Sequence, residues 1–150
     1  MTASREGRGR YEISTETSRV DVDAVHAFLT TSYWAEGIPR ATVAKAIAGS
    51  LCFSLFDRGA QIGFARVITD RATFAYLCDV YVLDPYRGRG LGKWLIEEVT
   101  SHPEVAGVRR FVLVTRDAQG LYEPFSFKVP ADSGSYMEIF RPTIYKQPPD

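Results

Sequence analysis

Seven consecutive residues, Arg87-Gly88-Arg89-Gly90-Leu91-Gly92-Lys93, place glycines at every second position and cations between and beside them. Glycine has no side chain, so a phosphate can approach the backbone at positions 88, 90 and 92. The stretch that follows has apolar residues at helical spacing, so the loop opens a helix. The first turn of a helix carries N–H groups without internal partners and the positive end of the dipole. With Arg87, Arg89 and Lys93 added, the chemistry is that of a diphosphate cradle. A tight turn at a helix start would use the same glycines, but it would not need the flanking cations. The spacing also separates diphosphate sites. A P-loop needs a glycine five positions before Gly92 and a hydroxyl after Lys93, where this chain has Arg87 and Trp94. A dinucleotide fingerprint needs glycines spaced two and then three apart, and here they are spaced two and two.

The elements that must position this loop can be read on either side of it. Thr73 to Leu83 is a nearly unbroken apolar and β-prone run, which suits a central strand covered on both faces, and Asp79 is its one charge. Gly90 to Ser101 is a helix with Leu91, Leu95 and Val99 as its stripe and Trp94 widening it. Arg109 to Thr115 is a further strand, and strand–helix–strand in this order predicts a parallel crossover. Upstream, Tyr11 to Ser14 is a short strand and Val20 to Thr31 a helix, capped by Ser18 or Asp21. Tyr33 to Pro39 is an aromatic loop, and Ala41 to Ala48 is a second helix ended by Gly49. Leu51 to Asp57 and Gln61 to Thr69 flank the hairpin signal Arg58-Gly59-Ala60. Downstream, Ala118 to Glu123 is a short helix stopped by Pro124. Phe127 to Val129 and Tyr136 to Phe140 read as a last antiparallel pair.

Composition sets the bounds. The chain has 150 residues, 45% hydrophobic and 24% charged, which suits one soluble globular domain. Lys plus Arg and Asp plus Glu each number 18, so no global field holds nucleic acid or an anionic membrane. Cys52 and Cys78 lie in apolar runs, and His26 and His102 are isolated, so no metal site is expected and the thiols read as reduced core groups of a cytoplasmic protein. No signal peptide or membrane span is evident. The expected organisation is a loose leader over residues 1–10, one domain over 11–145 and a frayed tail over 146–150. Oligomeric state, monomer or homodimer, is left open.

The run Asp79-Val80-Tyr81-Val82-Leu83-Asp84-Pro85-Tyr86-Arg87-Gly88-Arg89-Gly90-Leu91-Gly92 resembles the coenzyme A motif of the GNAT acetyltransferase superfamily, with Arg87, Gly90 and Gly92 filling its Arg/Gln-x-x-Gly-x-Gly/Ala pattern. Downstream, Leu121-Tyr122-Glu123-Pro124-Phe125-Ser126-Phe127 resembles that family's Leu-Tyr-x-x-x-Gly-Phe segment. Ser126 stands where the family has glycine, and Pro124 where its helix continues. The resemblance spans residues 11–140 and implies an α+β, three-layer fold. Its central sheet is mixed and mostly antiparallel, with a splayed parallel pair, and helices flank it. It further implies acetyl-coenzyme A as donor and no metal. Val80, Tyr81 and Val82 would lie along the pantetheine arm on a bulged strand, and the N–H groups of Gly88 to Lys93, Leu91 included, would hold the pyrophosphate.

Direct transfer to an amine needs a neutral nucleophile, a polarised carbonyl and a protonated leaving thiolate. An amine of pKa roughly 10.4 is deprotonated at pH 7 at a cost of about 4.6 kcal/mol. The resemblance points to Tyr122 as the acid at sulfur. Asp79, a charge in an apolar strand where burial would raise its pKa, is the first candidate for the base. It could equally be a structural carboxylate holding a backbone or arginine partner. Glu36 and Asp117 are the other carboxylates considered, and a backbone N–H of Val80 or Val82 could polarise the oxygen. Tyr33 and Trp34, with Ile38, either wall the acceptor pocket or pack as a core lid. The expected reaction is N-acetylation of a small-molecule or peptide amine. A coenzyme A-binding sensor without turnover and acyl transfer to a non-amine acceptor are the alternatives.

Overall fold

A computed structural model describes residues 5–146. Six strands form one sheet in chain order: β1 (Arg5–Arg8), β2 (Tyr11–Ser14), β3 (Leu51–Asp57), β4 (Ala60–Thr69), β5 (Phe74–Val82) and β6 (Arg110–Leu113). Neighbours from β1 to β5 are antiparallel, and β5 and β6 are parallel. Helices α1 (Val22–Leu29) and α2 (Arg40–Ala48) precede β3, α3 (Leu91–Ser101) joins β5 to β6, and α4 (Gln119–Tyr122) follows β6. This is the mixed, mostly antiparallel sheet with one parallel pair that the sequence predicts.

Local chemistry sets the boundaries. Asp21 caps α1 by accepting from the Ala24 N–H at 3.0 Å. The helix ends at Leu29, two residues before the expected end. There the N–H groups of Thr31 and Ser32 turn tightly onto the carbonyls of Phe28 and Leu29 at 3.1 and 3.0 Å, and their hydroxyls donate to the same carbonyls at 2.9 and 2.7 Å. The β3–β4 turn places Arg58 and Gly59 at φ 48° and 88°, the left-handed pair that matches the twist of a two-residue hairpin.

Two apolar layers sandwich the sheet. On one face Phe53, Leu55, Val67 and Leu77 meet Leu91, Leu95 and Val99 of α3. On the other, Cys52, Phe64 and Tyr81 meet Val25 and Leu29 of α1 and Val43 and Ile47 of α2. Phe53 and Phe64 are fully buried, and truncating either to alanine would cost about 3–5 kcal/mol.

Two expectations fail. Residues 5–8 are not a loose leader; they pair with β2, Arg5 opposite Ser14 and Arg8 opposite Tyr11. Charge hid this strand, since an edge strand tolerates polar residues that a central one does not. Residues 1–4 and 147–150, the rest of the expected leader and nearly all of the expected tail, lie outside the described residues. The second failure is the last antiparallel pair. Phe127 to Val129 and Tyr136 to Phe140 form no strand, and β6 is the sheet's edge. Ser126 adopts φ 75° after a 3-10 turn at Glu123–Phe125 and redirects the chain, and Pro130 removes a ladder donor.

Two features of β5 open a cleft. Its pairing with β6 stops at Leu77 opposite Leu113, yet β5 runs on to Val82. Between the pairs Arg66–Cys78 and Phe64–Tyr81 the register slips, so Asp79 and Val80 both face Ala65. Asp79 takes φ 54° at this bulge, which bends the strand away from β6.

Candidate active site

The cleft between the splayed strands has a volume of about 1460 Å³. The glycine loop lies at one end. A 3-10 turn at Asp84–Tyr86 leads into it, and Gly90, at φ 77°, caps α3 without any side-chain hydrogen bond to the helix. Gly88 has φ 79°. A Cβ at Gly88 or Gly90 would meet no atom within 4 Å, so both glycines face open space. The first-turn N–H groups of α3 are therefore left to an external acceptor. This geometry fits a pyrophosphate.

The arginines of the loop have partners within the chain, and Arg87 and Lys93 line the cleft. Arg87 donates from Nε to the Val82 carbonyl at 2.9 Å and pairs with Asp84 at 2.6 Å. Arg89 donates to the Tyr11 hydroxyl at 2.8 Å and is absent from the cleft lining. Both brace the loop against neighbouring segments. Lys93 lines the cleft in the first turn of α3.

The opposite end is aromatic. Phe28 stacks on Tyr81 with centroids 4.0 Å apart, Trp34 leans on Phe28 at 6.2 Å, and Tyr33 meets Trp34 edge-on at 5.2 Å. The Arg116 guanidinium lies 3.8 Å from the centre of the Tyr33 ring, joining the loop after α1 to the segment after β6. Tyr33 and Trp34 are 52% and 41% exposed, so they form a wall rather than a core lid. Ile38 is buried beneath them.

Tyr122, at the end of α4, lines the cleft and is 9% exposed. Its ring meets Phe127 edge-on at 6.0 Å. Burial, with a smaller contribution from Tyr33, pushes its phenol up to about 12, so it is protonated throughout the neutral range. Asp79, at the bulge, also lines the cleft. Asp79 accepts from Arg66 Nε at 2.8 Å and from Trp34 Nε1 at 2.9 Å, one donor on each oxygen. Arg66 also donates to Ser50 Oγ at 3.0 Å. Asp79 and Arg66 side chains are 11% and 15% exposed. The arginine partner that a structural carboxylate here would need is present. Of the other carboxylates, Glu36 pairs with Lys146 at 3.4 Å, and Asp117 is exposed on the cleft lining.

Sequence reasoning missed Arg66, Phe28 and Arg116 in the lining of the cleft, where Glu138 and Arg141 of the final segment also lie. A signal for Arg66 existed: it and Asp79 are lone opposite charges in consecutive apolar strands. Among the described residues no group of three or more His, Cys, Asp or Glu could hold a metal, and no helix is long and apolar enough to cross a membrane.

Known proteins agree with this geometry. Residues 48–129 match the acetyltransferase (GNAT) domain family. A Gibberella zeae protein named as a candidate acetyltransferase is 32% identical, with 77% of each chain covered. A crystal structure from Xanthomonas campestris pv. campestris, described as a candidate acetyltransferase of the GNAT family, superposes with a TM-score of 0.90 at 46% identity and covers 94% of this chain and 100% of its own. The fold is shared at 12% identity by a Clostridium acetobutylicum protein described as a predicted acetyltransferase and solved with acetyl-coenzyme A, with a TM-score of 0.63 over 87% of this chain and 94% of that one. With its bulged central strand and glycine-capped helix, the chain belongs to the GNAT acetyltransferases, acyltransferases that use acetyl-coenzyme A.

Proposed function

We propose that this chain moves the acetyl group directly onto a primary amine of a small molecule or peptide, with Tyr122 as the acid at the thioester sulfur. The observation that carries this reading is the placement of Tyr122. It is a buried phenol on the wall of the cleft that has the glycine cradle at one end and the aromatic wall at the other.

When bound, acetyl-coenzyme A supplies an activated thioester. In this reading the N–H groups of Gly88 to Lys93 hold its diphosphate. Among the described residues the part of β5 beyond Leu77 has no strand partner on its β6 side, so Val80 and Val82 offer backbone groups to an extended arm, with Tyr81 between them turned toward β4. The Val82 carbonyl already accepts from Arg87 and has one lone pair left. A backbone N–H of Val80 or Val82 polarises the acyl oxygen, and the bulge that aims it is fixed by Asp79. The amine attacks the acyl carbon, the C–S bond breaks, and the nitrogen loses a proton as the sulfur gains one.

Tyr122 at about 12 is a weaker acid than a thiol near 8.5. Complete transfer to the sulfur alone would therefore be uphill. The phenol donates a hydrogen bond as charge develops on sulfur and regains any proton it gives from the acylated nitrogen. Asp79, with both oxygens engaged, acts as the anchor of Trp34 and the bulge. An amine that arrives charged loses its extra proton to water in the open cleft.

Thiol release from acetyl-coenzyme A with a panel of amines tests the reading. The expected result is amine-dependent release that drops in Tyr122→Phe. If the wild type binds coenzyme A but releases no thiol with any amine, the sensor reading replaces this one. Release only with hydroxyl or thiol acceptors moves the reaction to a different acyl transfer.

A further inference from the structure

Tyr86 ends the 3-10 turn before the glycine loop, and Arg89 lies within the loop. Both reach back to the β2–β3 pair, where Tyr11 and Asp57 lie opposite each other in register. Asp57 ends β3 and is buried. Arg10 donates to both of its oxygens, from Nε and Nη2, each at 2.6 Å, and the Tyr86 phenol hydrogen-bonds the same carboxylate. Arg10 is the largest cause that holds the Asp57 carboxyl below its usual range, so it stays ionised at neutral pH. Arg89 donates to the Tyr11 hydroxyl at 2.8 Å. Two cation–ring contacts close the circuit. The Arg10 guanidinium lies 5.5 Å from the centre of the Tyr11 ring, and that of Arg89 lies 5.6 Å from the centre of the Tyr86 ring. The side chains of Tyr86, Asp57, Arg10, Tyr11 and Arg89 thus form one closed ring beside the loop. The loop has little else to hold its shape. Among the described residues the N–H groups of Gly88, Arg89 and Gly90 make no backbone hydrogen bond. A Cβ at Gly88 or Gly90 would touch nothing, so packing does not fix their φ of 79° and 77° either. An unrestrained glycine segment samples many conformations, and ordering one residue on binding costs a ligand roughly tenfold in affinity.

We propose that Asp57, Arg10, Tyr11, Tyr86 and Arg89 are positioning residues for the cofactor's diphosphate, holding the glycine loop in its binding shape before coenzyme A arrives. The inference rests on the reading that Gly88 to Lys93 hold the diphosphate. The ring acts through the loop: Tyr86 fixes the backbone before Gly88, and Arg89 fixes it between Gly88 and Gly90. The ordering of the loop is then met on folding and not on binding, which raises affinity without any new contact to the ligand. Arg87, by contrast, bonds only within its own turn, to Val82 and Asp84. The ring ties the loop to strands that precede it by about 30 and 75 residues, Asp57 of β3 and Tyr11 of β2.

Tyr11→Phe with Tyr86→Phe tests it. The pair removes both hydroxyls that tie the loop to β2 and β3 and leaves the bond between Arg10 and Asp57 in place. The dissociation constant for coenzyme A, measured by calorimetry on the full chain, should rise about tenfold. In the free variant the backbone order parameters of Gly88 to Gly92, from nitrogen-15 relaxation, should fall from about 0.85 to below about 0.6. Those of α1 should not change, and saturating coenzyme A should restore the loop. Should the double variant not fold, Asp57→Asn makes the same test from the carboxylate side. Unchanged affinity overturns the proposal, and so does weaker binding by a loop as ordered as in the wild type. Gly90→Glu separates the two levels of the argument. If it binds coenzyme A normally, the loop reading fails and takes the proposal with it. If it abolishes binding while the hydroxyl-free variant binds normally, the positioning role alone fails.

Discussion

Asp79→Asn separates an anchoring carboxylate from a catalytic base. Asparagine tolerates the left-handed φ of 54° about as well as aspartate, so the bulge keeps its backbone. What changes is charge and acceptor count. Two oxygens now take Arg66 at 2.8 Å and Trp34 at 2.9 Å, and the amide offers one. Replacing the ionic bond to Arg66 by a neutral one costs about 1–2 kcal/mol, and losing one further hydrogen bond costs about 1 kcal/mol. Deleting the partner outright would cost about 3–5 kcal/mol, because Arg66 would remain buried and uncompensated. The expected loss for Asn is therefore about 2–3 kcal/mol, a fall in Tm of roughly 4–12 °C for a chain of this length. Freed from its acceptor, Trp34 should shift its fluorescence, whereas Trp94, 3% exposed against the core, should not. The Michaelis constant for the acceptor should rise several-fold because the aromatic wall is no longer pinned. The turnover number should stay within about threefold, and the ascending limb of its pH profile should remain. A 100-fold fall in turnover with loss of that limb, the size expected for removing a general base, would refute the anchoring role.

Tyr122→Phe should lower turnover about 100-fold with coenzyme A affinity unchanged by calorimetry; equal rates would remove Tyr122 as the acid. Gly90→Glu should abolish coenzyme A binding, because the side chain enters the open space that faces the cradle and brings negative charge. Gly90→Ala is its control, adding only the strain of φ 77°, about 1–2 kcal/mol; unchanged affinity in the Glu variant would sink the loop assignment. His102 gives a pH test of the fold. It is buried against Phe53, and its Nδ1 accepts from the Glu104 N–H at 3.2 Å, so it must be neutral in the folded state. Desolvation lowers its pKa, against a smaller opposing effect of Glu104. The unfolded chain then takes up the proton first as pH falls, so this contribution is complete above about pH 6.5 and is lost as pH drops through that value. Urea unfolding of His102→Gln should show a flatter dependence between about pH 7 and 5 than the wild type, and parallel slopes would contradict this.

The glycine-loop end of the cleft was legible because it is built from contiguous chain. Strand, 3-10 turn, glycine cradle and helix run from residue 74 to 101 without interruption. Their periodicities and the glycine spacing are local signals. The parallel partnership of β5 with β6 followed from element order. Sequence shows the charge of the cations but not their partners: Arg87 and Arg89 neighbour the cradle and brace Asp84, Val82 and Tyr11. Asp79 was found as the odd charge in an apolar strand, but its role turns on Arg66, thirteen residues away in the adjoining strand. The β1 strand was hidden because its residues are charged or glycine. The expected last hairpin was an over-reading of β-prone residues whose exposure in the structure shows that propensity without a sheet partner does not make a strand.

The acceptor wall shows the opposite construction. Phe28, Tyr33 and Trp34 come from α1 and the loop after it, Tyr81 from β5, Arg116 from beyond β6, and Glu138 and Arg141 from the final segment. No spacing rule joins these positions, so the wall exists only in the folded chain. The division has a consequence for variation. A diphosphate held by backbone N–H groups depends on φ and on the absence of Cβ atoms, so few substitutions there are neutral. The outer part of the wall, Tyr33, Trp34 and Arg116, is exposed, and exposed side chains can change without cavities or unpaired buried groups. Acceptor preference should therefore respond to substitutions at Tyr33 and Arg116 that leave coenzyme A affinity and thermal stability nearly constant. Trp34, exposed like them, should break that independence, because its indole reaches back to the carboxylate at the bulge of β5.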